Sequence, residues 1–104
     1  MSNMQNMLRQ VQAMQRKMAK AEEELAGHEV SGSAGGGMVT VVADGNGVVR
    51  RVELDPQAVD PDDTEMLGDM IVAACNEALR AQKELHEELM GDMAGQLGLP
   101  PGLL

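Results

Sequence analysis

Four basic side chains lie within the first twenty-one residues, and no acidic side chain lies among them. They are Arg9, Arg16, Lys17 and Lys20. Arginine and lysine grouped in this way can contact phosphate oxygens, which is the chemistry of binding to nucleic acid. The chain of 104 residues carries a formal net charge of −9, so most of its surface repels a polyanion. Any polyanion must therefore meet a local basic patch, and this opening segment is the main candidate.

A helix is predicted from residue 3 to residue 26, and it carries all four basic residues. Apolar side chains recur along it in steps of three and four, which is the pattern of a heptad seam. This apolar seam consists of Met4, Met7, Val11, Met14, Met18, Ala21 and Leu25. No Gly or Pro interrupts the segment, and Gly27 is expected to end the helix.

The spacing of the basic residues places them on one face of that helix. Arg9 precedes Arg16 by seven residues and Arg16 precedes Lys20 by four, so the three face away from the apolar seam. Lys17 lies beside them, and we call these four residues the basic stripe. It is either a phosphate-binding surface or the solvated face of a coiled coil, which charged helix faces usually are.

An antiparallel β-meander of three strands is predicted over residues 28–55. The segments rich in β-branched residues or bounded by glycine are 29–33, 38–43 and 48–54. Asp44-Gly45-Asn46-Gly47 is a strong hairpin signal. A turn centred on its last two residues pairs Val41 with Val52, whereas a turn centred on its middle two shifts the register by two residues. Both registers bury the same face of the last strand.

A second helix is predicted over residues 61–91. Asp60 is the candidate N-cap, and Pro61 suits the first helical position. The elements together give one α+β domain over residues 1–94. Residues 95–104, which are rich in Gly, Pro and Leu, are expected to form a flexible tail.

The dimensions of these elements predict self-association. The two helices are roughly 35 and 42 Å long, whereas a compact globule of about 100 residues has a radius of gyration near 13 Å. Both helices therefore extend past a small sheet, and a second copy is the simplest cover for their apolar stripes. We expect a homodimer whose core and interface include Met4, Met7, Val11, Met14, Met18, Met70 and Ile71.

The remaining polar patterns do not indicate a catalytic or metal site. His28, His86 and the single Cys75 lie too far apart in sequence for a local metal motif. The methionines of the first helix could imitate a Cu(I) site, but their heptad spacing favours core or interface. We therefore expect no enzymatic activity, no cofactor and no metal.

The opening segment also lacks the apolar core of a signal peptide, and no apolar stretch has the length of a membrane span. We expect a cytoplasmic protein that has no membrane partner and no small-molecule substrate.

Several short motifs follow one another in a recognisable order. They are Gly35-Gly36-Gly37-Met38-Val39, Val52-Glu53-Leu54-Asp55-Pro56, Val59-Asp60-Pro61-Asp62-Asp63, Glu65-Met66-Leu67, Ile71-Val72-Ala73-Ala74 and Leu97-Gly98-Leu99-Pro100-Pro101-Gly102-Leu103. With the glutamine- and methionine-rich first helix, they resemble the YbaB/EbfC family of bacterial nucleoid-associated proteins. The resemblance covers nearly the whole chain.

The resemblance implies an α/β homodimer, shaped like tweezers, that binds double-stranded DNA with little sequence specificity and is associated with the nucleoid. It further implies an effect on chromosome organisation or gene expression. The family's DNA contacts on the long helices correspond by position to Arg9, Arg16, Lys17, Lys20, Arg80 and Lys83. The chain departs from the family pattern in its second helix, where acids outnumber bases.

A helical adapter is the alternative function. In that case the methionine-rich seam recruits another protein, for example one of replication or recombination, and DNA binding is incidental. Ionic strength separates the two functions, because phosphate contacts weaken steeply with salt whereas apolar contacts do not.

Overall fold

The computed structural model describes the backbone of residues 2–96 and the side chains of residues 3–92. Along the chain, a three-stranded sheet lies between two long helices. The elements are α1 (Ser2–Ala26), β1 (Glu29–Ala34), β2 (Val39–Asp44), β3 (Val49–Leu54), a 3-10 turn (Pro56–Ala58) and α2 (Thr64–Gln96). The predicted α-β-β-β-α architecture is confirmed.

The sheet is an antiparallel meander with the strand order β1-β2-β3. Val41 lies opposite Val52, and Val39 lies opposite Leu54, which is the first of the two predicted registers. The turn itself has Gly45 and Asn46 at its centre, because the Gly47 N–H donates to the Asp44 carbonyl (3.1 Å), and an irregularity farther along the ladder produces this register. Gly47 has a φ of 85°, a conformation that favours glycine. The sequence had left two registers open, and the structure decides between them.

A β-bulge interrupts the β2–β3 ladder near the turn. Val42 lies opposite Arg51, but Ala43 lies opposite Val49, so Arg50 is an extra residue without a partner on β2. Alternating side-chain polarity does not reveal a bulge, and the sequence did not predict this one. The bulge matters for the site below, because it redirects the Arg50 side chain.

The core lies between α2 and the first two strands. A Cβ atom built on Gly32 of β1 would lie 2.3 Å from the backbone nitrogen of Ala78 and 2.4 Å from the carbonyl oxygen of Ala74. The two backbones therefore meet at a distance that only glycine permits. The fully buried core residues around this contact are Val39, Val41, Ala74 and Ala78, with Met70 and Ile71 partly buried against them.

The helix α2 does not cover β3. Val52 and Leu54 share the face of the sheet that carries the core residues Val41 and Val39. Each is nevertheless 42 % exposed, and all six residues of β3 are exposed. The expectation that the last strand buries one face is therefore wrong for the single chain, because α2 lies over β1 and β2.

The bounds of α2 differ from the predicted 61–91. The helix begins at Thr64, because the Asp63 carboxylate accepts a hydrogen bond from the Met66 N–H (3.1 Å) and caps it. Asp60 instead closes a separate turn, in which its carbonyl accepts the Asp63 N–H. The helix continues to Gln96, since a single glycine costs only about 1 kcal/mol in a helix. Of the predicted tail, residues 97–104 lie outside the described residues.

The molecule is elongated because α1 projects from the sheet. The chain measures 72 × 20 × 17 Å, and its radius of gyration of 19.5 Å exceeds the value of about 13 Å for a compact chain of this size. Along α1 the exposed fraction falls from 72 % at Met4 through 41 % at Met14 to zero at Leu25. Met4, Met7, Val11, Met14 and Met18 therefore do not belong to the core of the single chain, and their place in a dimer interface stays a prediction.

Replacing Gly32 by Ala tests the backbone contact between β1 and α2. We expect Gly32→Ala to destabilise the fold by at least about 2 kcal/mol, because neither helix backbone atom can move aside. The matched control is Gly68→Ala, at an exposed glycine of α2 with nothing near its Cβ position, which should stabilise by up to about 1 kcal/mol. Urea unfolding measures both, and equal midpoints would show that the contact is unimportant.

Candidate nucleic-acid interface

One junction fixes the base of α1 to the rest of the fold. The N–H of Gly45 donates to the carbonyl of the buried Leu25 (2.9 Å), and the Asn46 side-chain amide donates to the carbonyl of Glu22 (3.1 Å). On the other side, the Gln82 amide of α2 donates to the Gly45 carbonyl (2.9 Å). The β2–β3 turn thus joins both helices, and it sets the direction in which α1 leaves the sheet.

A buried carboxylate holds this turn in shape. Asp44 is 1 % exposed, and it accepts hydrogen bonds from the backbone N–H groups of Asn46 (2.9 Å) and Val48 (3.0 Å). Its second oxygen accepts the Arg50 guanidinium at 2.6 Å, which the bulge brings within reach. The Val48 N–H is the main reason that the pKa of Asp44 is lowered, with the Asn46 N–H and Arg50 adding to it against the opposing effect of burial.

The basic stripe lies on the projecting part of α1. Arg9, Arg16, Lys17 and Lys20 are all exposed. Within residues 3–92, none of the ion pairs involves a residue of the stripe. From Arg9 to Lys20 the stripe extends about 16 Å along the helix axis. The structure therefore brings the four predicted residues together on one accessible surface.

Arg80 and Lys83 occupy a different position. Both are exposed on α2, close in sequence to Gln82, but helix geometry turns them away from the side on which Gln82 contacts the β2–β3 turn. Acidic residues lie three or four positions away on the same helix, namely Glu77, Glu84 and Glu87. Such spacing puts acids beside the two bases and weakens the local positive potential. The structure does not join Arg80 and Lys83 to the basic stripe.

The two arginines of β3 are engaged within the sheet. Arg51 donates to Glu53 on its own strand (2.9 Å) and to Glu29 on β1 (3.2 Å). These two ion pairs hold the Arg51 side chain against acidic groups of the sheet. The Arg50–Asp44 pair was not predicted, and an Asp at the start of the Asp-Gly-Asn-Gly turn was the only signal that pointed to it.

Other chemistry is not supported in the described part of the chain. No group of three or more His, Cys, Asp or Glu side chains there could hold a metal ion. A search of the same residues for a helix able to cross a membrane found none.

Comparison with known proteins identifies the family. The model of the YbaB/EbfC DNA-binding family matches residues 1–97. The chain belongs to this family. The family is described as DNA-binding, and the names of the family and of the relatives indicate a nucleoid-associated DNA-binding protein and not an enzyme.

Relatives and a solved structure agree with this assignment. A nucleoid-associated protein of Saccharopolyspora erythraea is 52% identical over 101 residues, which cover 97% of this chain and 87% of the relative. A nucleoid-associated protein of Rhodospirillum rubrum is 45% identical over 103 residues, covering 99% and 96%. The crystal structure of uncharacterized protein HP0035 from Helicobacter pylori has a TM-score of 0.65 at 24% identity, over 80% of this chain and 96% of that one, and it supports the fold.

Asp44→Asn tests the carboxylate that holds the junction. A carboxylate whose pKa is lowered in the folded state stabilises the fold above its ordinary pKa of about 3.9. That stability is lost as the pH falls through the lower, folded-state pKa. We therefore expect Asp44→Asn to unfold at lower urea concentration than the wild type at pH 7, with the difference shrinking as the pH falls toward 2.

The control for this experiment is Glu84→Gln, which removes an exposed carboxylate of α2. It should follow the wild-type curve at both ends of the pH range. An Asp44→Asn curve that runs parallel to the wild type at every pH would contradict the role of the charge.

Proposed function

We propose that the chain binds double-stranded DNA as a homodimer, with little sequence specificity, through the basic stripe of α1. The observation that carries the proposal is the position of the stripe, exposed and without an ion-pair partner among the described residues, on a helix that projects from an acidic body. The names of the relatives support association with the nucleoid, and hence a bacterial cytoplasmic location with effects on chromosome organisation or gene expression.

Electrostatics explains why the projection matters. The chain as a whole carries −9, and three acids, Glu22, Glu23 and Glu24, lie at the base of α1. A basic stripe on a flat part of this body would feel those acids, since charges interact over about 8 to 10 Å at physiological salt. Lys20 lies three and four positions from Glu23 and Glu24 and is weakened by them, whereas Arg16 and Arg9 lie roughly 9 and 20 Å from Glu22 along the axis of α1. Because the stripe lies on the projecting helix α1, its side chains can contact phosphate groups while the acidic remainder of the protein lies farther from the DNA.

The type of contact favours duplex DNA and low sequence specificity. Lysine and arginine on one face of a helix contact the phosphate backbone, which positions a protein but carries no sequence information directly. The chain has no aromatic residue on which unpaired bases could stack, which disfavours recognition of single strands.

The homodimer is supported by an apolar corner formed by α2 and β3. The corner consists of Val49, Val52 and Leu54 on β3 with Val72 and Leu79 on α2, all 40 to 59 % exposed. On α2, Cys75 lies between Val72 and Leu79 in heptad spacing and packs on the core. Gln82 continues that side of the helix and reaches the β2–β3 turn. All of these residues are uncharged.

The corner suits a second copy of the same chain. A two-fold axis along the long direction of the molecule seats α2 of each copy over the uncovered β3 of the other. This arrangement leaves both α1 helices at the same end, as in tweezers. The chain exposes 7370 Å², whereas a compact monomer of 11.1 kDa exposes about 5,700 Å². The difference exceeds the roughly 800 Å² that each partner buries in a standard interface.

Val72→Glu tests the corner. We expect this change to raise the dissociation constant of the dimer by about 100-fold or more, because it buries an unpaired charge at the contact. Ala73→Glu is the matched control, since it adds the same charge to the neighbouring exposed residue outside the corner. Sedimentation or light scattering over a concentration series measures both, and equal masses for the two variants would contradict the proposed interface.

Arg16→Ala combined with Lys17→Ala tests the basic stripe. For the wild-type dimer we expect log affinity for duplex DNA to fall against log salt with a slope of about −3 to −5. The double variant should bind every duplex sequence about 10-fold or more weakly at low salt, with a slope closer to zero. Fluorescence anisotropy at several salt concentrations measures both quantities.

The matched control is Arg80→Ala combined with Lys83→Ala, which changes the net charge by the same amount on α2. If net charge alone governs binding, the two double variants will weaken it equally. We expect the α2 variant to have the smaller effect. An α1 variant with wild-type affinity would overturn the stripe as the contact surface.

The exposed apolar seam supports a second candidate function. Near the tip of α1, Met4 and Met7 are 72 % and 65 % exposed, and they offer a helical surface to a protein partner. In this case the chain is an adapter that recruits, for example, a replication or recombination protein. A purified partner that binds equally well at low and high salt, and that loses binding in Met4→Ser with Met7→Ser, supports the adapter.

A further inference from the structure

No strand of the described residues pairs with the outer edge of β3. β3 is the last strand in the order β1-β2-β3, and all six of its residues are exposed. The N–H of Asp55 donates to the carbonyl of Met38 at the end of the β2–β3 ladder (2.8 Å). Backbone groups alternate in an antiparallel ladder, so Glu53 and Arg51 also direct their N–H and C=O groups toward β2. The backbone N–H and C=O groups of Val52 and Leu54 therefore point toward the free edge.

Side-chain directions restrict how this edge can pair with a second copy of itself. Val52 lies opposite Val41, on the side of the sheet where α2 packs over β1 and β2, whereas Arg51 and Glu53 lie on the other side. An antiparallel pair of identical strands matches these faces only when one residue lies opposite its own counterpart. The candidates for that central residue are Arg51, Val52 and Glu53.

Charge decides between the three registers. A pair centred on Arg51 places two arginines opposite each other, and a pair centred on Glu53 places two glutamates opposite each other. A pair centred on Val52 places each Arg51, which already donates to Glu53 and Glu29 of its own chain, opposite the Glu53 of the other copy. It also brings together the Val52 N–H and C=O groups, which point outward and can be exchanged between the two strands.

We propose that homodimers associate through their β3 edges, as antiparallel strands centred on Val52 with reciprocal Arg51–Glu53 ion pairs. The proposal rests on the homodimer proposed above, which uses the corner between α2 and β3 and leaves the β3 edge free. Each homodimer has two such edges, so the dimers join in a row. The bulge at Arg50 keeps the regular ladder short, and the contact is therefore weak in solution and favoured where DNA holds many dimers close together.

Cysteine cross-linking tests the register. In a Cys75→Ala background, which removes the native thiol, Val52→Cys should form a disulfide across the edge when dimers are bound to long duplex DNA and mildly oxidised. Opposite residues in a hydrogen-bonded antiparallel pair have Cα atoms about 5.5 Å apart, within disulfide reach. Leu54→Cys is the control, because in this register its two copies are four residues apart, roughly 13 Å, and should remain unlinked.

Charge reversal tests the ion pairs. Arg51→Glu or Glu53→Arg alone should reduce the Val52→Cys cross-link by about 5-fold or more, because like charges then face each other across the edge. The combined Arg51→Glu and Glu53→Arg variant should restore it. Circular dichroism of each variant confirms that the sheet is folded.

Light scattering of the linked and unlinked protein separates this proposal from the homodimer. If the unlinked protein is a dimer and cross-linking converts it into tetramers and longer rows, the result supports both the homodimer and the β3 edge contact. Dimers that give no Val52 cross-link, equal linking at Leu54, or a linked species no larger than a dimer overturn the edge contact and leave the homodimer standing. A monomer that still links through Val52 overturns the homodimer instead and leaves the edge pairing.

Discussion

The small size of the sheet is the constraint on which the rest of the structure depends. Strands of six residues are about 20 Å long, whereas helices of 25 and 33 residues extend about 38 and 50 Å. One helix can lie on such a sheet, but two cannot. The close contact of Gly32 with Ala74 and Ala78 shows that α2 is the helix that packs on the sheet. Consequently α1 is attached only at its base, and β3 remains uncovered.

Charge is distributed to match this geometry. The basic residues of α1 lie beyond the junction, whereas the acids Glu22 to Glu24 lie at it. Several contacts hold the junction together, because Leu25 is buried and the carboxylate of Asp44 accepts two backbone N–H groups of the turn around Gly45. A small core without aromatic residues thus carries a long projecting helix. This helix therefore carries its basic side chains away from the acidic body of the protein.

Much of this architecture could be predicted from the sequence, and the failures have physical causes. The uninterrupted seam of α1 and the Asp-Gly-Asn-Gly turn are local signals, and both elements formed where expected. The start of α2 was placed three residues early, because Asp60 and Asp63 can each cap a helix and only the structure shows which one does. The bulge at Arg50 left no trace in the alternation of side chains. Which strand the helix covers depends on the tight approach at Gly32, a tertiary contact that no local pattern encodes.

The five arginines offer the most direct test of the central claim, that α1 is the surface that meets DNA. Nuclear magnetic resonance can follow the side-chain Nε–H group of each arginine during titration with duplex DNA. The account predicts that the signals of Arg9 and Arg16 shift first and furthest, while those of Arg50 and Arg51, held by ion pairs, and of Arg80 change little. Large shifts at Arg50, Arg51 or Arg80 with Arg9 and Arg16 unchanged would contradict it.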